Sequence, residues 1–186
     1  MQFFNRFSKL VISSSLLVTA LAAGNATAGP GTLDFTATFN TTEFLLPAEN
    51  CPSGLGGIGV GAGTTNLFTK KPARDTTTVV LASFDCVTPS MDGVTFIFGP
   101  GKFTLTGPGG DTLFATYSGT LYYEKPDPLT GLPVYRFDKD AMFSIQGGTG
   151  RYSKAVGSGS IGGTETINQA TGTAQGKLTA VGKIVY

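Results

Sequence analysis

The sequence predicts an all-β domain, and three observations carry that prediction. Apolar and polar residues alternate with period two along run after run of the chain. Clusters of glycine and proline separate those runs. Past the N-terminal segment, no stretch shows an apolar stripe at helical spacing.

Residues 32–39, TLDFTATF, set the pattern. Leu33, Phe35, Ala37 and Phe39 fall on one face, and Thr32, Asp34, Thr36 and Thr38 on the other, as in a half-buried strand. Comparable runs occupy 77–84, 94–98, 102–106, 112–123, 134–145, 155–167 and 174–185, and glycine weakens a further one at 59–69. Pro89, Gly99-Pro100-Gly101 and Gly107-Pro108-Gly109-Gly110 mark turns, and the proline-rich 125–133 reads as an exposed loop. About eight or nine short strands with hairpin-sized connections favour antiparallel pairing, in a barrel or a sandwich, over βαβ crossovers. No linker or break in composition divides the chain, so one domain is expected.

Residues 1–28 read as an export signal. Arg6 and Lys9 form a basic start with no acidic residue before Asp34, and Leu10 to Ala23 is apolar apart from a run of serines. Ala26-Thr27-Ala28 offers the small residues a signal peptidase reads, which places the cut after Ala28; a cut after Ala22 competes with it. The apolar run is about 14 residues, against the roughly 20 of a membrane-spanning helix; a retained anchor is the alternative. No cysteine lies near either cut, so no lipid-modified terminus is expected. The mature chain is then 29–186, exported to the periplasm or beyond. Of 13 Lys and Arg, 11 remain after Arg6 and Lys9 leave, against 12 Asp and Glu. That balance attracts neither nucleic acid nor an anionic membrane.

In an oxidising compartment, Cys51 and Cys86 are expected to pair. The bond would close a loop of about 35 residues and stabilise the fold by roughly 3–4 kcal/mol on the chain-entropy account. Two buried free thiols are the alternative. With no histidine in the chain, imidazole metal sites and Ser-His catalysis are excluded, and acid–base work would fall to carboxylates or tyrosines.

Two glycine motifs suggest nucleotide chemistry and fail on context. GLGGIG, 54–59, fits the dinucleotide pattern, but no strand precedes it and a β-like stretch follows. GGTGRYSKAVGSGSIGG, 147–163, and GTAQGKL, 172–178, lack the spacing of a phosphate-binding loop and lead into no helix. Gly147, Gly148 and Gly150 are instead expected to supply positive φ angles to a tight strand connection, with Arg151 and Lys154 as exposed bystanders. No cofactor is expected.

The same turn carries a resemblance. F-x-I-x-GGTG-R-Y-x-x-A-x-G-x-G, Phe143 to Gly159, is similar to a segment shared by dirigent proteins, allene oxide cyclases and bacterial exported proteins of the same barrel superfamily. GAGTTNLF at 61–68 resembles the early glycine-threonine strand of the bacterial branch, with Asn66 where a histidine is often found. GGDTLFATYSGT at 109–120 resembles its hairpin, and Gly182 to Tyr186 its terminal strand. The similarity spans 57–186 and implies an eight-stranded antiparallel barrel whose lumen can hold a small apolar molecule. It carries over no catalytic residue.

Candidate chemistry inside such a barrel is sparse. Asp138 and Asp140 share a strand face with Arg136, Val134 and Met142; the reading preferred here turns that face to solvent and puts Tyr135, Phe137, Ala141, Phe143 and Ile145 in the core. On 112–123, Leu113, Ala115, Tyr117, Leu121 and Tyr123 oppose Phe114 and Tyr122. Glu165 is a carboxylate without a visible companion. None of these is assigned a catalytic role. The expected function is therefore an exported, soluble, non-enzymatic barrel that binds a small apolar ligand in its lumen or serves at a surface. An isomerase or cyclase acting on a small hydrophobic substrate is the alternative, and an outer-membrane barrel a second one.

Overall fold

A computed structural model describes residues 31–72, 75–91 and 94–186. The expected export signal and its cut after Ala28 lie outside those residues. Nine strands run in chain order: β1 (Thr32–Pro47), β2 (Leu55–Thr65), β3 (Thr77–Pro89), β4 (Thr95–Thr106), β5 (Thr112–Pro126), β6 (Pro133–Phe137), β7 (Met142–Gly148), β8 (Val156–Asn168) and β9 (Thr173–Val185). A single 3-10 turn, Gly150–Tyr152, joins β7 to β8. No α-helix occurs among the described residues.

All pairings are antiparallel, and they close on themselves. β1 to β5 pair in succession, β5 pairs with both β6 and β7, both pair with β8, and β9 returns to β1. The nine strands therefore fill eight positions of a barrel-like ring, because β6 and β7 lie end to end in one of them. Sequence alternation read 134–145 as one strand. Its interruption is a turn in which the Ala141 amide donates to the Asp138 carbonyl at 3.0 Å. Asp140 holds that turn against β5, accepting hydrogen bonds from the Thr120 amide at 3.1 Å and the Thr120 hydroxyl at 2.7 Å. The acidic pair thus stays outside the core, while Tyr135, Phe137, Ala141, Phe143 and Ile145 are buried. Val134, expected on the outer face, is buried too.

In the opposite sense, 94–98 and 102–106 are one strand and not two. Gly99-Pro100 is a bulge inside β4, where the pairing with β5 jumps from Phe98 to Gly101. Gly99 has a φ of +95°, and a Cβ there would lie 2.7 Å from the Tyr117 carbonyl oxygen. Within GLGGIG, Leu55 to Gly59 begin β2, and Gly54 closes the preceding turn with a φ of +73°.

Two packed clusters fill the ring. One holds Phe35, Leu67, Leu105, Leu113, Tyr152 and Ile184. The other holds Phe96, Phe98, Leu121, Tyr135, Phe137 and Ile167. Tyr117, Ile161 and Leu178 touch both.

The GGTG segment belongs to the first cluster and is no simple hairpin turn. Gly147 and Gly150 take φ values of +135° and +56°. Gly148 does not take a positive φ; it is small because a Cβ would strike the Thr112 carbonyl oxygen and approach the Tyr152 Cβ to 2.9 Å. The turn drives Tyr152 into the core, where its ring meets Phe68 and Tyr186, each 4.7 Å away between centroids. Arg151 is more than a bystander. Its guanidinium donates to the Thr69 carbonyl at 3.0 Å and lies 4.8 Å above the Tyr152 ring.

Cys51 and Cys86 form a disulfide, tying the β1–β2 connection to β3 across 35 residues of sequence. Both are buried. This fits a chain that matures outside the reducing cytoplasm. Cys86→Ser is expected to cost about 3 kcal/mol and lower the thermal midpoint by several degrees. Scanning calorimetry of the oxidised parent and the variant checks this.

Candidate functional site

Between the two clusters lies a cavity walled mainly by aromatic and aliphatic side chains, with a polar group at its middle: Thr41 and Glu43 of β1, Ser83 and Asp85 of β3, Tyr117 of β5 and Glu165 of β8. The cavity has a volume of about 80 Å³. One water needs roughly 10–15 Å³ by that measure, so several waters or the body of a small molecule fit.

Strand parity brings these residues together. On β1 the inward series runs Phe35, Ala37, Phe39, Thr41, Glu43, Leu45, all of them lumen-facing by the period of two. On β3 it runs Leu81, Ser83, Asp85, just before the register shift between Phe84 and Val87. On β8, Glu165 follows Ile161 and precedes Ile167 on the same face.

Glycines on the neighbouring strands make the room. Gly59 pairs with both Glu43 and Ser83, Gly57 with Asp85, and Gly176 with Thr41 and Glu165. A Cβ at Gly57 would collide with the Glu43 carboxylate and come within 2.8 Å of Asp85 Oδ1. At Gly101 it would meet the Tyr117 ring at 2.6 Å, and at Gly176 it would strike Thr41 Oγ1. The glycine-rich stretch 54–63 is therefore the wall against which the acids lie.

The electrostatics are those of acids removed from water. Burial pushes Glu165 up to about 7, and the Asp85 charge adds to the push. Burial pushes Asp85 up to about 6, opposed by a hydrogen bond with Tyr117. Glu43 keeps some solvent contact, yet burial, followed by the charges of Glu165 and Asp85, holds it well above the usual carboxylate range. Tyr117 is raised by burial and then by the charges of Asp85 and Glu43. Among the described residues no lysine or arginine lines the cavity to offset these acids. Two polar atoms are left without hydrogen bonds, Thr41 Oγ1 and Asp85 Oδ1, although their residues are only 7% and 3% exposed. Such orphans are costly in a finished core and mark a place where a further polar group belongs.

Comparison with protein-family models, curated proteins and solved structures finds no match. The site rests on its own geometry.

Of the residues singled out in the sequence, Glu165 and Tyr117 enter this site, and Asp138 and Asp140 do not. Tyr123, which alternation puts on the face of Leu113, Ala115 and Leu121, is 44% exposed and packs its ring 5.9 Å from Tyr135. Glu43 and Asp85 join the site from outside the apolar alternation that marks the strands. Continuing the parity of 35–39 through Thr41 to Glu43, and of 79–81 through Ser83 to Asp85, would have found them.

Proposed function

We propose that this chain is an exported barrel of the allene-oxide-cyclase and dirigent type whose lumen binds a small, largely apolar molecule bearing one polar end. The observation that carries this reading is an apolar cavity with convergent polar groups, two of whose buried atoms have no partner. A purely structural ring would gain stability by filling that space with aliphatic side chains. One part of the outward face supports water exposure: Asp34, Thr36, Asn40, Lys177, Thr179 and Lys183 lie exposed on the adjacent strands β1 and β9, whereas Phe44, Ile58, Val60, Val80 and Ile97 make other parts apolar.

Native mass spectrometry of the protein recovered from its natural source tests the binding reading. The expected result is an added mass of one small organic molecule, released on denaturation. A bare chain mass, together with no shift of the melting temperature by a panel of small apolar compounds, would return the protein to a structural role.

One observation favours a second reading, acid–base catalysis of an isomerisation or cyclisation. Asp85 and Glu165 are raised to about 6 and 7, where a carboxyl can both give and take a proton near neutrality. On that reading, Asp85→Asn and Glu165→Gln keep the bound molecule, and the parent protein alone converts it.

A further inference from the structure

We infer, on the reading of the lumen as a binding site, that its occupant is a small organic cation: an ammonium group seated among Glu43, Asp85 and Glu165 and carried on an apolar or aromatic body. The charge balance of the cavity is the first reason. Three acids face one another from β1, β3 and β8, Tyr117 faces them from β5, and Thr41 and Ser83 complete the polar surface. Among the described residues no cationic side chain lines the cavity, so these residues supply no counter-charge to the buried carboxylates once they ionise. Below about pH 6 protons neutralise the acids; once they ionise, a cationic ligand is the counter-charge that fits.

The orphaned atoms are the second reason. Asp85 Oδ1 and Thr41 Oγ1 are buried acceptors that receive no hydrogen bond. An ammonium has three donors and no acceptor, which matches a site rich in acceptors. A neutral alcohol would bring one donor and could not balance the charge.

The walls are the third. Tyr117 packs in tilted contact with Phe98 at 5.9 Å and Phe103 at 5.8 Å between centroids, so aromatic rings stand beside the acids. Rings of this kind attract a desolvated cation through their faces and accept an apolar body along their edges. A bare metal ion fits less well: among the described residues, no group of three or more Asp, Glu, His or Cys is close enough to hold one.

Titration calorimetry on the disulfide-bonded protein separates this inference from the reading beneath it. The probes are benzylamine, phenethylamine and hexylamine, each set against its alcohol counterpart, benzyl alcohol, phenethyl alcohol and hexanol. The amines, whose ordinary protonation resembles that of lysine, stay charged across the range. With Asp85 and Glu165 titrating at about 6 and about 7, amine affinity is expected to rise at least about tenfold between about pH 5 and about pH 8, with proton release on binding. The alcohols are expected to bind weakly and without that pH dependence. Glu165→Gln, checked for its melt, should lose about tenfold in amine affinity at the higher pH and leave the alcohols unchanged. Alcohols binding as tightly as amines would overturn the inference and leave the lumen as a binding site. Failure of all six probes would overturn both.

Discussion

The protein is expected to be more stable at about pH 4.5 than at about pH 8, the reverse of the usual behaviour of a chain with paired carboxylates. Asp85 and Glu165 have folded-state values of about 6 and about 7, against ordinary values of 3.8 and 4.5. A carboxyl raised in this way binds its proton more tightly in the folded state. Its contribution is fully present below the ordinary value and is lost as pH rises through the folded one, so the loss falls between about pH 4 and about pH 7. Each group accounts for roughly 3 kcal/mol over that interval if it acts alone, and the repulsion they share makes the two effects less than independent. Glu165→Gln, which keeps the shape and removes the charge, should flatten the profile and raise stability at the alkaline end. Urea unfolding at a series of pH values reads both effects. A stability that climbs steadily from acid to neutral would show that the lumen acids are solvated.

Tyr152→Ala is expected to be the most damaging single truncation, at about 5 kcal/mol. The side chain is fully buried, and its ring is held by Phe68, Tyr186 and the Arg151 guanidinium. Removing a buried aromatic ring leaves a cavity that costs about 3–5 kcal/mol. Its hydroxyl also accepts the Phe68 amide at 2.7 Å, and the truncation leaves that donor unpaired in the core. Tyr152→Phe keeps the ring and loses only the hydrogen bond, so it should cost about 1–3 kcal/mol. Chemical denaturation of the two variants separates packing from the hydrogen bond. A cost for Tyr152→Ala below that of Tyr152→Phe would contradict the role given to the ring.

The GGTG turn illustrates how much of the fold could be read in advance. Glycines at 147 and 150 are there for their positive φ, as turn chemistry suggests. Gly148 is there for a close approach between chains, which depends on the register of β5 and cannot be seen locally. Strand positions were legible wherever alternation put apolar residues on the inner face, as in Phe35, Ala37 and Phe39. Alternation became misleading where the lumen turns polar. At Glu43 and Phe44 the chemistry inverts: the acid points inward and the phenylalanine, 45% exposed, points out. A reading that equates inward with apolar stops at Phe39, and with it goes the first acid of the site. Asp85 is hidden for a second reason, since it sits at the register shift of β3, where three successive residues, Asp85, Cys86 and Val87, are all buried. Glu165 was visible but solitary, because its companions lie on β1 and β3, far away in sequence. Closure of the ring between β1 and β9 is what unites them.

This barrel-like ring encloses an acidic cluster in an apolar lumen. Carbon-detected NMR titration of the side-chain carboxyls of Glu43, Asp85 and Glu165 tests it most directly. Asp85 is expected to titrate at about 6 and Glu165 at about 7, with Glu43 well above the ordinary glutamate value. Carboxyls of unstructured model peptides, which titrate at about 4, serve as the reference. If Glu43, Asp85 and Glu165 all follow that reference, the lumen is open to water and the account is wrong.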